Sequence, residues 1–495
     1  MVLNRVKGVP LWLSASIITS LNALVFGMDT GTIGPVTTMD SFIATFGSFS
    51  PTLHGVIVSS ILLPGALAAL VAGILADRYG RTRMIAIGST VFGIGAAIET
   101  ASPVLPMFIV GRLVKGAGEG IFLSTVYVHV CEISPARQRG LVSAVPQLCV
   151  TTGLVAGFFV SYGTSALPGS ISWRLPIAVQ AFLAFSNAAM CSLVPPSPRW
   201  LQAKGRPDEA RTIIAQLGLD DAEQKELLAQ SASGLEHSPD ATFWENIKQT
   251  VSEFREAFSS PFRSRTIFGC FLMAMQQFSG IDGVLYYAPI LLQQAGISST
   301  QASFLASGVS ALVIMAATLP AMLMADRWGR KASTLVGGSL IFAVMLLMGS
   351  LYAAGEVHAD SGAGRWVVIV SIYLFAVVFS MTWAIGIRSY MIESLPRKTR
   401  SSAASLGQGS NWLANYIVAL TTPVFISSST FGVYYFFAFC SLFTTVVCVF
   451  LMHETKGQSL EDIEQKYMER QSRTTGRWKL NPAGFRMRRI RATQV

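Results

Sequence analysis

The stretch LWLSASIITSLNALVFGMDTGTIG, residues 11–34, decides the fold of this 495-residue chain. Eighteen uncharged residues, from Leu11 to Met28, lead directly into one carboxylate, Asp29. A helix of that length is enough to cross a bilayer. An ionisable group at such a depth costs at least ~2.5 kcal/mol to insert, so it normally faces a protein interior or a water-filled path and has a partner. The stretch therefore predicts a membrane span that carries a functional acid.

The composition extends this prediction to the whole chain. Hydrophobic residues make up 51% of the sequence and charged residues only 13%, which is hard to reconcile with one soluble core. The charge-poor stretches are residues 11–34, 55–76, 84–98, 141–173, 175–198, 266–281, 302–325, 332–355, 366–387 and 401–452. The last of these is long enough for two helices and is divided at residues 427–430. The stretch 103–130, which contains more polar residues, is counted as a further helix. They predict an all-α membrane protein with twelve transmembrane helices.

Two internal repeats divide these helices into equal halves. GILADRYGRTR after helix 2 returns as MLMADRWGRKA after helix 8, and Glu132-x-x-Pro135-x-x-x-Arg139 returns as Glu393-x-x-Pro396-x-x-x-Arg400. Such duplication predicts two six-helix bundles. We expect a cytoplasmic N-terminus at 1–10, bundles at 11–198 and 266–452, a linker at 199–265 and a basic tail at 453–495. In the linker, apolar residues at helical spacing from Phe243 to Phe258 predict an amphipathic helix that packs under the membrane domain.

The basic residues indicate the orientation. Lys and Arg concentrate on the side that carries both termini, so the positive-inside rule predicts that both ends are cytoplasmic. The net charge of +10 comes largely from the tail, which we interpret as a topology determinant or a contact for anionic lipid headgroups, and not as a nucleic-acid site. The six cysteines have no metal-ligand spacing, so neither a metal nor a cofactor is expected.

Short charged motifs on the same side suggest a gate. Carboxylates and guanidinium groups at neighbouring helix ends can form bidentate bonds when those ends meet, which would favour an outward-open state. Alternatively, the cations simply mark the inner side. The candidate gate residues are Asp77, Arg78, Arg81, Glu132, Arg139, Arg199, Asp326, Arg327, Arg330, Glu393, Arg400 and Glu454.

These motifs also carry a family resemblance, which covers roughly residues 11–462. The chain resembles the sugar porter branch of the major facilitator superfamily through FGMDTGTIG at 26, DRYGR at 77, GRLVKGAGEG at 111, EISPARQRG at 132, PPSPRW at 195, QQFSGIDGVLYY at 276, DRWGR at 326, NWLAN at 411 and HETKG at 453. The resemblance implies a carrier that works by alternating access around a central site and performs no covalent chemistry.

The resemblance offers a partner for the acid of helix 1. In proton-coupled members of this family a helix 1 carboxylate lies opposite the Arg of the helix 4 GR motif, and here these residues are Asp29 and Arg112. Protonation of Asp29 would then release Arg112. A static buried ion pair is the alternative. Lys115 and Glu119 share the helix face of Arg112, so they can pair with each other or compete for Asp29.

The resemblance also implies the substrate contacts. They are Gln147, Gln276, Gln277, residue 282, Asn411 and Trp412. Three positions depart from the family pattern: Asp282 replaces the usual Asn, Arg388 stands where Trp is frequent, and Ile314 stands where Asn is frequent. One hypothesis is that Asp282 and Arg388 pair across the cavity, because an unpaired charge at that depth is costly. The competing hypothesis is that Arg388 binds an acidic substrate.

Together these observations predict a monomeric, proton-coupled importer of a sugar or polyol in the plasma membrane, with no enzymatic activity. A facilitative sugar uniporter is the first alternative. Transport of a sugar acid, export of a secondary metabolite and a non-transporting nutrient sensor are the others.

Overall fold

The computed structural model describes most of the chain between residues 10 and 456. The described residues are 10–135, 142, 144–217, 224, 243–260, 262–297, 299–324, 328–358, 362–396 and 399–456. Three predicted gate residues, Arg139, Asp326 and Arg327, therefore lie outside the described part, as do residues 457–495 of the basic tail.

Twelve helical segments of spanning length are formed by the described residues, and they are numbered here as spans. They are span 1 (Leu11–Thr38), span 2 (Pro51–Tyr79), span 3 (Arg81–Ala101), span 4 (Leu105–Ile133), span 5 (Val145–Thr164), span 6 (Ile171–Cys191), span 7 (Arg263–Gln277, Ile281–Tyr286 and Ala288–Gln294), span 8 (Thr300–Met324), span 9 (Arg330–Ala353), span 10 (Gly364–Ser394), span 11 (Arg400–Ser428) and span 12 (Thr430–Leu451). Eight of them are also apolar enough to cross a membrane by length and composition alone. The four that are not are spans 4, 6, 7 and 11; span 4 carries the buried Arg112, Lys115 and Glu119, and spans 7 and 11 carry buried amides.

Span 7 differs most from its predicted extent. The charge-free run ended at Ile281 because Asp282 follows it, but the span continues to Gln294 in three pieces. Gly280 separates the first two pieces in a left-handed conformation with φ of 91°, and a Cβ there would lie 2.5 Å from the Phe437 ring. Asp282 therefore lies in the middle of a discontinuous span, in the first turn of its second piece.

One helix of the linker region covers most of the stretch with helical apolar spacing. Its bounds are Phe243–Ala257, and it contacts span 2 in one half and span 11 in the other. Two shorter helices, Pro198–Ala203 and Pro207–Gln216, precede it. Trp244 is 70% exposed and Val251 is also exposed, so part of the apolar face is not covered by the protein.

The two ends of the bundle differ in how the halves meet. We call the end with Arg81 and Arg330 the basic face and the opposite end, where spans 1 and 11 finish, the distal face. Near the distal face a Cβ on Gly34 of span 1 would lie 2.2 Å from the carbonyl oxygen of Tyr286 in span 7. Only glycine permits such backbone approach between helices.

A second contact closes the same face from the other side of the bundle. A Cβ on Gly55 of span 2 would lie 2.1 Å from the carbonyl oxygen of Leu420 in span 11. Beside it, the His54 ring contacts the Tyr287 ring edge-on, and the Tyr287 hydroxyl donates to the carbonyl of Ala419 over 2.7 Å. The halves are therefore packed backbone to backbone at the distal face.

Replacing Gly55 by leucine should prevent this closure. Overpacking typically costs about 1–3 kcal/mol, which corresponds to a shift of about 5- to 150-fold in a conformational equilibrium. We expect stronger labelling of the substitution Asn415→Cys in span 11 by an impermeant thiol reagent added from the distal side, in a chain whose six native cysteines are replaced by serines. Gly73→Leu in the same span is the control, because nothing lies within 4 Å of a Cβ there. Equal labelling of both variants would contradict this interpretation of the closed face.

Candidate functional site

Span 4 brings three charged side chains, those of Arg112, Lys115 and Glu119, into the membrane core because its glycines admit neighbouring backbones. A Cβ on Gly116 would lie 2.1 Å from the carbonyl oxygen of Ile61 in span 2, and one on Gly118 would lie 2.4 Å from the amide nitrogen of Phe92 in span 3. The GRLVKGAGEG sequence therefore packs tightly on two sides. This packing removes its ionisable side chains from lipid and from water.

The result is a buried group that we call the ionic cluster: Asp29, Glu99, Arg112, Lys115 and Glu119. Each of its members is at most 5% exposed. Lys115 is central to the cluster, since its Nζ lies 2.6 Å from Asp29 Oδ1 and 3.0 Å from Glu99 Oε2. Opposite charges at these distances compensate one another in a medium of low dielectric constant.

Arg112 takes a more distant position than the resemblance implies. Its Nη1 lies 3.8 Å from Asp29 Oδ1, while its Nη2 donates to the carbonyl of Val58 over 2.9 Å. Asp29 therefore has its short contact with Lys115 and a long one with Arg112. Lys115 has not paired with Glu119, although the two residues stand one helical turn apart.

Glu99 was missed by the sequence analysis. It follows directly after the predicted helix 3 stretch, 84–98, which ends where this charge begins. The structure extends span 3 to Ala101 and buries Glu99 completely. Two features of the sequence could have identified it. Glu99 is a carboxylate within one turn of an apolar run, and the next helix carries a lysine, Lys115, whose partner the sequence did not settle.

A second group of polar side chains joins spans 7 and 11. Gln276 donates from Nε2 to the carbonyl of Trp383 over 2.8 Å, and its Oε1 accepts a bond from Asn411 Nδ2 over 3.2 Å. Gln277 Nε2 donates to Asn411 Oδ1 over 3.2 Å. Gln277 Oε1 is buried without a donor. These three amides are thus held in position by one another, with one acceptor left over for a further hydroxyl group.

Asp282 and Arg388 lie within electrostatic range of each other but do not form a direct ion pair. Asp282 Oδ2 instead accepts a bond from Asn415 Nδ2 over 2.6 Å, and no ion pair within 4 Å joins it to Arg388. Arg388 is half-buried, its Nε has no hydrogen-bond partner, and it lies within electrostatic range of Tyr127 in the other half. Asn415 was not singled out from the sequence, although it stands four residues after Asn411 and therefore on the same helix face.

The remaining predicted contacts occupy different surroundings. Trp412 packs across the two halves, where its ring would lie 2.7 Å from a Cβ on Gly65 of span 2. Gln147 is half-buried in span 5 and Ile314 is buried in span 8. Tyr286 links the two polar groups, because it lies within electrostatic range of Asp29 and Glu119 on one side and of Asp282 on the other.

At the basic face the two repeated motifs form ion pairs within their own halves. Arg81 binds Glu132 through two nitrogens at 3.1 and 3.2 Å and also contacts Asp77 at 2.6 Å. Arg330 reaches Glu393 Oε1 at 2.9 Å. Each ion pair between described residues at this face joins two residues of one half. Arg78 and Arg199 are exposed, and Arg400 donates to the carbonyl of Leu395.

The two motif copies use their matching glycines differently. Gly80 has φ of 98°, which turns the chain between spans 2 and 3. Gly329 instead leaves room for a carboxylate, since a Cβ there would lie 2.3 Å from Glu454 Oε2. Glu454 caps span 9 by accepting from the backbone nitrogens of Arg330 and Lys331. Partial burial alone would raise the pKa of Glu454, but these backbone donors, with those of Lys456 and Ala332, hold its pKa below the ordinary value.

Twelve spans in two repeated halves, with charges and amides buried between them, define a membrane solute carrier. Residues 15–467 match the family model described as "Sugar (and other) transporter". The chain therefore belongs to the sugar porter family of the major facilitator superfamily, a family of transporters and not of enzymes.

Similar proteins cover nearly the whole chain. The glucose transporter GlcP of Staphylococcus epidermidis is 30% identical over 458 residues, which cover 92% of this chain and 97% of that protein. A high-affinity glucose transporter of Kluyveromyces lactis is 26% identical over 91% of this chain and 84% of its own length. The inward-open structure of the xylose transporter XylE from E. coli matches with a TM-score of 0.75, at 22% identity, over 92% of this chain and 99% of that one. These matches confirm the predicted family and fold.

Removal of Lys115 should destabilise the protein strongly. Lys115→Met leaves Asp29 and Glu99 buried without their shared cation, and breaking a buried pair in this way typically costs about 3–5 kcal/mol. We expect the detergent-solubilised variant to lose its monodisperse peak in fluorescence-detected size-exclusion chromatography at a clearly lower temperature than the wild type. Lys248→Met on the exposed linker helix is the control. A Lys115→Met variant as heat-stable as this control would contradict the central position of Lys115.

Proposed function

We propose that the protein is a proton-coupled importer of a neutral sugar or polyol, acting as a monomer in the plasma membrane with both termini in the cytoplasm. The observation that carries this proposal is Asp29, an acid in the membrane core that is held by a cation of another span at 2.6 Å. Buried ionisable groups in membrane proteins typically mark proton or substrate pathways.

Proton binding can change the contact between spans 1 and 4. With Asp29 ionised, Lys115 and Arg112 attract it and hold the two spans together. With Asp29 protonated, this attraction is lost, and the relative stability of two arrangements of the bundle changes accordingly. A proton can therefore alter the conformational equilibrium only because it changes a contact between two helices.

The substrate site is proposed to lie beside the amides of spans 7 and 11. Gln277 Oε1 and Asn415 Oδ1 are both buried acceptors without a donor, and two acceptors at this depth suit the hydroxyl groups of a sugar. A polyhydroxyl substrate would satisfy them, whereas an apolar one would leave them unpaired. Discontinuous spans such as span 7 are typical of transporter substrate sites.

The packing at the distal face supports alternating access. Close contacts at Gly34 and Gly55 join the halves there, while the recorded ion pairs at the basic face stay within each half. This arrangement is that of a carrier closed toward the distal side. Return to the opposite state would require the two glycine contacts to open.

A second candidate function is favoured by Arg388. Its guanidinium group has no carboxylate within 4 Å among the described residues, since Asp282 bonds to Asn415 instead. A half-buried cation of this kind can bind a carboxylate through two parallel hydrogen bonds. Transport of a sugar acid is therefore the alternative. It ranks ahead of a uniporter, an exporter or a sensor, because no contact among the described residues specifically favours one of those functions.

Asp29→Asn should separate exchange from accumulation. Asparagine resembles the protonated acid, so we expect sugar counterflow to persist while uphill uptake and its sensitivity to a protonophore are lost. Radiolabelled sugar uptake in a transport-null host, with and without the protonophore, measures both properties. Wild-type uptake that ignores the protonophore and leaves the medium pH unchanged would indicate a uniporter and would overturn proton coupling.

Arg388→Ala should separate the two substrate classes. If the substrate is a neutral sugar, uptake persists in this variant and in the Asp282→Ala/Arg388→Ala double variant. Uptake is measured with a panel of radiolabelled solutes that contains hexoses, pentoses, polyols and the corresponding sugar acids. Arg263→Ala at the exposed start of span 7 is the control. Uptake confined to sugar acids and abolished by Arg388→Ala would replace the neutral-sugar proposal by the alternative.

A further inference from the structure

The ionic cluster contains one more acid than it has cations. Asp29, Glu99 and Glu119 face Arg112 and Lys115, and none of the five is more than 5% exposed. If all were ionised, one negative charge would remain uncompensated in the membrane core. A buried carboxylate in that situation binds a proton rather than staying charged. Charge balance therefore requires one bound proton somewhere in the cluster.

The contacts indicate which acid holds it. Asp29 has Lys115 at 2.6 Å and Arg112 at 3.8 Å, and Glu99 has Lys115 at 3.0 Å. Among the described residues Glu119 has no cation within 4 Å, and both of its carboxyl oxygens are buried without any hydrogen-bond donor. The acid without a cation is the one for which ionisation is most costly.

The neighbours of Glu119 in the described part of the chain supply no other counter-charge. The facing ionisable groups are Asp29 from span 1, Glu99 from span 3 and Tyr286 from span 7, together with Arg112 and Lys115 of its own span. Span 2, which packs along span 4, has no charged residue between positions 55 and 76. The helix Pro198–Ala203 also contacts span 4, and its Arg199 is exposed.

We propose that Glu119 is a second proton-binding residue, which holds the transported proton while Asp29 and Glu99 share Lys115. This inference rests on the proposed proton-coupled function and names a site for it beyond Asp29. When water reaches the cluster from the basic face, the Glu119 O–H bond breaks, the proton passes to water, and the electron pair stays on the carboxylate.

Lys115 connects this event to span 1. Glu119 stands four residues after Lys115, which is the spacing at which side chains of opposite charge meet on one helix. An ionised Glu119 therefore competes with Asp29 for the same ammonium group. Loss of the proton from Glu119 would weaken the 2.6 Å contact between spans 4 and 1, and protonation would restore it.

Purified protein in liposomes tests this proposal. Glu119→Gln mimics the neutral acid, so we expect counterflow to persist, accumulation driven by a pH gradient to fall at least about tenfold, and the dependence of uptake on pH to flatten. Glu356→Gln in the exposed loop after span 9 is the matched control and should keep the wild-type pH dependence. If wild-type uptake is proton-coupled and Glu119→Gln retains the same coupling, the inference is wrong although the proposed function stands.

Infrared difference spectroscopy gives a readout that does not depend on transport. The parent protein in this experiment is the Asp282→Asn variant, and we expect it to show the C=O stretch of a buried protonated carboxylic acid. The Asp282→Asn/Glu119→Gln double variant should lack this band. Absence of this band in the parent protein overturns the inference. This result can be obtained even if the Glu119 variant does not fold, because it depends on the parent protein alone. If the wild type shows no proton coupling at all, the proposed function fails, and this band still decides whether Glu119 is protonated.

Discussion

The burial of five ionisable side chains between spans 1, 3 and 4 is the constraint on which the rest of the structure depends. Such a cluster is tolerable in a membrane only if its charges compensate each other and lipid is kept away. Lys115 provides the first condition through its contacts with Asp29 and Glu99. The glycines of span 4 provide the second, because they let spans 2 and 3 approach its backbone.

The cluster also lies within electrostatic range of the polar groups in the C-terminal half. Tyr286 of span 7 lies within electrostatic range of Asp29, Glu119 and Asp282, and the backbone carbonyl of the same residue meets Gly34 of span 1. Asp282 in turn bonds to Asn415, beside the amides of span 11. A change of charge in the N-terminal half therefore has a short route, through packed groups, to the polar site in the C-terminal half.

The sequence predicts the fold well and the site geometry only in part. Apolar runs and repeated motifs give the twelve spans because both depend on local composition. Helical spacing places Arg112, Lys115 and Glu119 on one face, but it does not tell which cation reaches Asp29, since that depends on how spans 1 and 3 pack. For the same reason the sequence analysis missed Glu99. It also proposed a pairing of Asp282 with Arg388 and did not identify Asn415 as the hydrogen-bond partner of Asp282. The repeated glycines show a further limit, because Gly80 serves a turn whereas Gly329 admits the Glu454 carboxylate.

The most direct test of the central claim is the movement of protons driven by a sugar gradient alone. Purified wild-type protein is reconstituted in liposomes that contain a pH-sensitive dye, with equal pH on both sides, a potassium–valinomycin clamp and an inward gradient of the sugar selected by the uptake panel. Proton-coupled sugar import requires acidification of the lumen that depends on the sugar and disappears in Asp29→Asn. Sugar entry at the wild-type rate with no change in luminal pH would contradict it.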